Sequence, residues 1–339
     1  MKVKSLNAVF AREMLIDRFH RVHNYLRISV TDTCNLRCSY CMPAEDHDFL
    51  PSDRIMQVDE VISLAKKFVS LGVDKIRLTG GEPLVRKDIA EIIQALSLLP
   101  VTLTLTTNAV RLHKFLPIVK NADIRSLNIS LDTLNRERFQ GMTRRDQFDR
   151  VWGNIHAAID EGIHVKVNVV LMRGVNDGEI NKFINWTSGT PVHVRFIEFM
   201  PFSGNHWNSG MVITFKEIID IIEREYSVIK LKDELNDTTL KFMVPGHAGT
   251  FAIISTMSNP FCDGCNRIRL TADGKIKNCL FSRQETDLLA ALRAGQDVEE
   301  LIRQSILAKH ASHGGQFKAD LEQVDFKAIQ NRSMIAIGG

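Results

Sequence analysis

Tyr25-Leu-Arg-Ile-Ser-Val-Thr-Asp-Thr-Cys34-Asn-Leu-Arg-Cys38-Ser-Tyr-Cys41 is the stretch that decides the architecture. Its first seven residues alternate apolar and polar, the period of a β-strand. Three thiols follow in one tight loop at C-x3-C-x2-C spacing. Thiolates are soft ligands that select iron–sulfur clusters, zinc or Cu(I). A [4Fe–4S] cube takes four such ligands, so a loop offering three leaves one iron open for a second molecule. The alternatives are a zinc site completed by a distant His, or three unrelated core cysteines.

Downstream, the strand-then-helix alternation repeats. Strands are predicted over 74–79, 101–107, 125–131, 163–172 and 192–199, with helices over 59–71, 87–98, 111–120, 146–161 and 178–188 between them. Gly72 and Gly162 stand where helices end. About six βα units imply a parallel sheet with right-handed crossovers. Strands covered by helices on both faces should be nearly all apolar. These are not. Arg27, Ser29 and Thr31 share one face, as do Arg77 and Thr79; Thr104, Thr106 and Asn108; Asn128, Ser130 and Asp132; and Lys166 and Asn168. Burying that polar row in a flat sandwich is costly. The fold class is therefore α/β, a partial (βα)6 barrel resembling a TIM barrel, with the polar faces lining a cavity and active residues at the C-terminal strand ends.

The pattern changes near residue 210, which divides the chain into an arm (1–24), the barrel (25–210) and a C-terminal α+β extension (211–339). The extension begins with an amphipathic helix over 214–226 and continues with short strands and turns at Pro245-Gly246 and Asp273-Gly274. It carries a second triple, Cys262-x2-Cys265-x13-Cys279, and the Asp-Gly hairpin returns Cys279 toward the first two. Three thiols again suit a cube with one open iron. Zinc is the rival, with His310 and His313 as the nearest downstream histidines. Arg267 and Arg269, on one face of the intervening strand, offer guanidinium forks that match phosphate oxygens.

The 339 residues are 44% hydrophobic and 24% charged, enough for a substantial core. A formal net charge of +3 argues against a general nucleic-acid binder. No apolar run reaches the ~18 residues of a membrane span, and residues 1–24 lack the apolar core of a signal peptide. The expectation is a cytoplasmic protein whose six cysteines bind metal rather than form disulfides. The polar runs His20–His23 and Glu45–Asp48 are read as solvated loops.

The first cysteine loop, together with Gly80-Gly81-Glu82-Pro83 after the second strand, resembles the signature of the radical S-adenosylmethionine (SAM) enzymes. The resemblance implies that a cluster at Cys34, Cys38 and Cys41 chelates SAM and cleaves it to a 5′-deoxyadenosyl radical, with Tyr40, Gly81, Ser130 and Met200 contacting SAM. From about residue 25 to the terminal Gly338-Gly339, the chain resembles the GTP 3′,8-cyclases of molybdenum cofactor biosynthesis. That implies a second [4Fe–4S] cluster at Cys262, Cys265 and Cys279 holding guanine. It also implies GTP contacts at Arg27, Arg77, Thr106, Lys166, Arg267 and Arg269, and a Gly-Gly tail reaching into the pocket. The implied reaction is abstraction of the ribose 3′ hydrogen and attack of C3′ on C8. Its product is (8S)-3′,8-cyclo-7,8-dihydroguanosine 5′-triphosphate. Implied partners are a flavodoxin-like or similar reductant and a downstream cyclic pyranopterin monophosphate synthase, with the chain a monomer or homodimer. Departures from the family pattern are Thr33 for Arg, Ala109 for Gly and His20 for Gly. The competing readings are a peptide-modifying maturase of the same superfamily and a non-enzymatic iron–sulfur redox sensor or zinc-stabilised module.

Overall fold

The computed structural model describes residues 14–42, 47–234, 236–317 and 328–338. Glu45, Asp46 and Gly339 lie outside them. The chain runs β1 (Tyr25–Ser29), α1 (Val58–Ser70), β2 (Lys75–Thr79), α2 (Ile89–Ser97), β3 (Thr102–Thr107) and α3 (Leu116–Asn121). It continues through β4 (Ser126–Ser130), α4 (Arg136–Thr143), α5 (Phe148–Asp160), β5 (His164–Leu171), α6 (Ile180–Gly189) and β6 (His193–Glu198). The C-terminal part adds α7 (Phe215–Glu223), β7 (Ile229–Lys230), β8 (Leu240–Met243), β9 (Thr250–Ile254), β10 (Arg267–Leu270), β11 (Lys275–Lys277) and β12 (Thr286–Asp287). It ends in α8 (Leu288–Arg293), α9 (Glu299–Leu307) and α10 (Met334–Ile337).

Local chemistry sets the boundaries. A capping box between Gln57 and Glu60 starts α1, and Thr214 with Glu217 starts α7. Gly72 at φ 96° follows the end of α1, a conformation that only glycine adopts cheaply.

All the described strands belong to one sheet, ordered β12-β11-β10-β1-β2-β3-β4-β5-β6-β9-β8-β7. β1 to β6 are parallel, and β10 and β9 extend the parallel run on either side. The sheet therefore crosses residue 210 without a break. Its apolar face, with Leu26, Ile28, Ile76, Leu78, Leu105, Leu127, Ile129, Val165 and Val167, packs into the helical layer. Each such side chain stabilises the fold by roughly 1.5–3 kcal/mol.

The opposite face is the polar row. Registers align Arg27 with Arg77 and Arg269, Arg77 with Thr104, Thr106 with Asn128, and Lys166 with His193. A flat sheet would separate β1 from β6 by about 24 Å, five spacings of roughly 4.8 Å. Yet Arg195 on β6 feels the charges of Arg77 and Arg27, so the sheet curls and its polar face turns inward. Among the described residues no helix is long and apolar enough to cross a membrane.

One expectation needs correction. His23 is not solvated: it is 1% exposed, and its Nε2 lies 3.1 Å from Asp17 Oδ2. Its partners come from the arm and from the end of α9, which a reading of local polarity cannot reveal. His20, beside it, is exposed.

Candidate active site

The first cysteine loop hangs from the C-terminal end of β1 and is held by α4. Arg37 N donates to Thr143 O and Ser39 N to Met142 O, both at 2.9 Å. Those carbonyls end α4 and would otherwise lack partners. Leu36 N (3.4 Å) and Asn108 Nδ2 (3.7 Å) both point at Cys34 Sγ.

All three thiols are pushed up. Burial and Glu82 bring Cys34 to about 11, and burial with the Cys34 and Asp132 charges brings Cys41 to about 12. Burial, Asp132 and the other two cysteines raise Cys38 well above its ordinary value. The thiols thus sense one another, and they become thiolates only where a bound group supplies positive charge. Among the described residues, no three Cys, His, Asp or Glu side chains converge on a point as one metal ion requires. Zinc at 2.3 Å from each sulfur would hold thiolates within about 3.8 Å of one another. Three soft thiolates in one buried loop are a donor set that suits an iron–sulfur cluster with one open iron.

Of the residues read as SAM contacts, Gly81, Ser130 and Met200 lie at or just beyond C-terminal strand ends, and Tyr40 lies in the cysteine loop. Gly81 N donates to Thr31 O at 2.7 Å, and a Cβ there would overlap the carbonyls of Asp32 and Thr33. Its glycine is therefore required by the approach of two backbones. Glu82 is buried and accepts from Asn108 N (2.6 Å), Thr107 Oγ1 (2.7 Å) and Leu84 N (3.0 Å), which ties this turn to β3. Tyr40 donates through its hydroxyl to Asp132 Oδ2 at 2.7 Å, just beyond β4 and Ser130. Tyr40 and Met200 border an apolar patch that contains Ile337 of α10. Thr33 contributes through its backbone, accepting from Glu82 N. Ala109 takes φ 61° and His20 also takes φ 61°, so both replacements of the family's glycine keep a left-handed backbone.

Inside the barrel, Arg27, Arg77, Thr106, Lys166, Arg267 and Arg269 all lie on inward-facing strand positions, and the structure adds Tyr25, Lys75 and Arg195. The Tyr25 ring has Lys75 Nζ at 4.9 Å, Arg77 at 5.3 Å and Arg27 at 5.6 Å from its centroid. Burial raises its phenol, but Arg77, Arg27, Lys75 and Arg267 outweigh that and bring it to about 8. The cations destabilise one another. Burial with Arg195 and Arg77 lowers Lys166 to about 8, and burial with Arg77 lowers Arg195 to about 9. Arg27 Nε, Arg195 Nε and the Tyr25 hydroxyl are buried without a hydrogen-bond partner. Among the described residues, none of these seven cations forms an ion pair with a carboxylate. Such a cluster is a receptor for a polyanion. Lys75 and Arg195 share the inward parity of Arg77 and Lys166, so alternation along 74–79 and 192–199 was the signal for both.

Arg269 Nη1 donates to Gly338 O at 2.5 Å. Gly338 has φ 79°, and a Cβ there would lie 2.6 Å from Thr79 Oγ1 and 2.8 Å from Ser29 Cβ. The chain's C-terminal segment is thus seated against the polar faces of β1 and β2, fastened outside by Arg332 to Asp273 at 2.8 and 2.9 Å.

Cys262 and Cys265 precede β10 at its N-terminal end, opposite in strand direction to the first loop. Cys262 is raised by burial and by Cys279 and Cys265, so the three thiols of this triple also act on one another. Cys265 differs: burial pushes its thiol up, but Arg267 and Lys309 bring it down to about 5. His313, a candidate zinc ligand, places Nε2 3.0 Å from Thr256 O and stacks on Phe317.

Barrel and cysteine loop together define a class. Residues 28–187 match the radical SAM superfamily, and residues 192–315 match the family described as Molybdenum Cofactor Synthesis C. Streptococcus suis SuiB bound to S-adenosylmethionine has the same fold, with a TM-score of 0.57 at 14% identity over 93% of this chain and 74% of that chain. The mitochondrial GTP 3′,8-cyclase of Arabidopsis thaliana is 47% identical over 334 residues, 96% of this chain and 84% of that protein. The GTP 3′,8-cyclase of Listeria welshimeri is 39% identical over 336 residues, 96% of this chain and 100% of that one. Mouse molybdenum cofactor biosynthesis protein 1 is 44% identical, and the chain spans 51% of its length. The chain belongs to the GTP 3′,8-cyclase family, radical SAM enzymes of molybdenum cofactor biosynthesis.

Proposed function

We propose that this chain cyclises GTP to (8S)-3′,8-cyclo-7,8-dihydroguanosine 5′-triphosphate, with the triphosphate on the barrel's cations and SAM beside the first cysteine loop. The observation that carries the reading is the set of seven inward cations without carboxylate partners among the described residues, below a loop of three mutually sensing thiols. Arg27, Arg77, Lys166, Arg267 and Arg269, with Lys75 and Arg195, neutralise the phosphates, and Thr106 offers a hydroxyl to the nucleotide. Tyr40, steadied by Asp132, lines the SAM pocket with Gly81, Ser130 and Met200. When bound, a [4Fe–4S] cluster at Cys34, Cys38 and Cys41 supplies the electron that cleaves SAM. A second cluster at Cys262, Cys265 and Cys279 would hold the guanine end. Gly338, anchored by Arg269, narrows the cavity and excludes water. The same reading includes a flavodoxin-like or similar reductant, delivery of product to cyclic pyranopterin monophosphate synthase, a cytoplasmic location, and a monomer or homodimer.

The test is anaerobic reconstitution with SAM, reductant and GTP, followed by detection of 5′-deoxyadenosine and a cyclised nucleotide. Deoxyadenosine with GTP left intact would point to a maturase; no deoxyadenosine would point to a redox sensor. Arg267→Ala or Arg269→Ala should weaken GTP binding about 10-fold or more, the loss of one charged hydrogen bond, and spare uncoupled SAM cleavage.

A further inference from the structure

Lys309, two residues past the end of α9, is 2% exposed. Its ammonium reaches Arg267 O (3.1 Å), Cys265 Sγ (3.3 Å), His23 Nδ1 (3.4 Å) and Cys265 O (3.5 Å). A buried ammonium without compensation is costly. His23 does not supply the charge. Lys309 only donates, so His23 Nδ1 accepts; Asp17 only accepts, so His23 Nε2 carries the proton and donates to Oδ2 at 3.1 Å. The ring is therefore neutral.

Asp17 is matched by Arg21, whose Nε lies 2.6 Å from Oδ2. Arg21 also clamps the surroundings, donating from Nη1 to Cys262 O (2.9 Å) and Ala311 O (2.8 Å) and from Nη2 to His310 O (2.8 Å). Asp17 and Arg21 cancel, so within this buried group Lys309 keeps its positive charge, and it acts on Cys265 beside Arg267. Among the described residues no carboxylate pairs with it, and the sulfur its ammonium reaches, at 3.3 Å, is Cys265 Sγ. Hydrogen bonds and charge at a ligating sulfur raise a cluster's reduction potential.

We propose that Lys309, held by His23, Asp17 and Arg21, is a positioning residue for the second cysteine triple: its ammonium donates to Cys265 Sγ, secures that ligand and raises the potential of the cluster bound there. This rests on the second-cluster reading. The arm and α9 thereby act on a site to which neither contributes a ligand.

The experiment uses anaerobically reconstituted full chain. Iron is counted, iron release to a chelator is timed, and each cluster is titrated by EPR. Lys309→Met should shift the second cluster to a more negative potential and speed its iron release about 10-fold, with the first cluster's signal unmoved; Lys309→Arg should restore most of both. Should Lys309→Met fail to fold, His23→Asn, which loosens Lys309 but keeps its charge, should give a smaller shift of the same sign. Wild type with about eight irons per chain and an unmoved second potential in the variants overturns the proposal alone. About four irons in wild type overturns the second-cluster reading and the proposal with it.

Discussion

Replacing Arg195 by Met should make the empty protein more stable and the nucleotide complex weaker. The guanidinium sits inside the barrel with Nε unpartnered. Burial, then repulsion from Arg77 and Arg27, takes it from 12.5 to about 9. That drop corresponds to about 5 kcal/mol of penalty on the charged form, an upper limit, because relaxation and water entry reduce it. Methionine keeps the aliphatic length without the charge, so about 1–3 kcal/mol should be recovered in the empty state. At about 2–4 °C per kcal/mol this is a rise of several degrees in Tm. With GTP bound the sign reverses. The guanidinium then has a phosphate partner, and losing one charged hydrogen bond costs about 1.5–3 kcal/mol, or roughly 10- to 150-fold in Kd. The assay is thermal unfolding of cluster-loaded protein with and without GTP, paired with calorimetric Kd. A lower Tm for empty Arg195→Met, or an unchanged Kd, would refute the view that this charge is held in readiness for an anion.

Other outcomes follow from single residues. Ala109→Gly should leave urea stability within about 0.5 kcal/mol of wild type, because relief of the left-handed strain at φ 61° is offset by glycine's added chain entropy and by loss of a fully buried methyl worth about 0.8 kcal/mol; a gain above about 1 kcal/mol would refute this balance. Gly338→Ala should expel the tail, since its Cβ would lie 2.6 Å from Thr79 Oγ1; hydrogen exchange across residues 328–338 should speed up while β1 and β2 stay protected. His193 is held down to about 3 by burial, Arg195 and Lys166. The unfolded chain therefore takes up a proton below about pH 6.5 that the native chain refuses, so this site's stability is complete above pH 6.5 and falls as pH drops toward 3. Urea midpoints at pH 7, 6 and 5 should show wild type losing about 2 kcal/mol more than His193→Gln by pH 5; parallel losses would exclude the effect.

What the sequence disclosed and what it hid divide by the range of the interaction. Alternation within one strand predicts which side chains face inward, and it located Arg27, Arg77, Thr106 and Lys166 because each strand carries its own parity. The same rule reaches Arg195 only if His193-Val-Arg-Phe-Ile-Glu198 is read for its polar face; the apolar Val194 and Phe196 draw attention to the other side. Helix α4 has no apolar stripe, burying Phe139, Met142 and Thr143 alone. It exists as a seat for the cysteine loop, whose N–H groups its last carbonyls accept, and no periodicity encodes that. Lys309 and His23 are 286 residues apart, and neither looks chemical by itself. The parallel placement of β10 against β1 explains why they meet: it carries the second cysteine triple to the strand that follows the arm, and α9 packs behind it. Local pattern therefore specifies the barrel and its lining, whereas the surroundings of the second triple depend on chain closure. Substitutions around Lys309 should accordingly disturb one cysteine site and leave the other intact, a separation that no strand-by-strand reading could have anticipated.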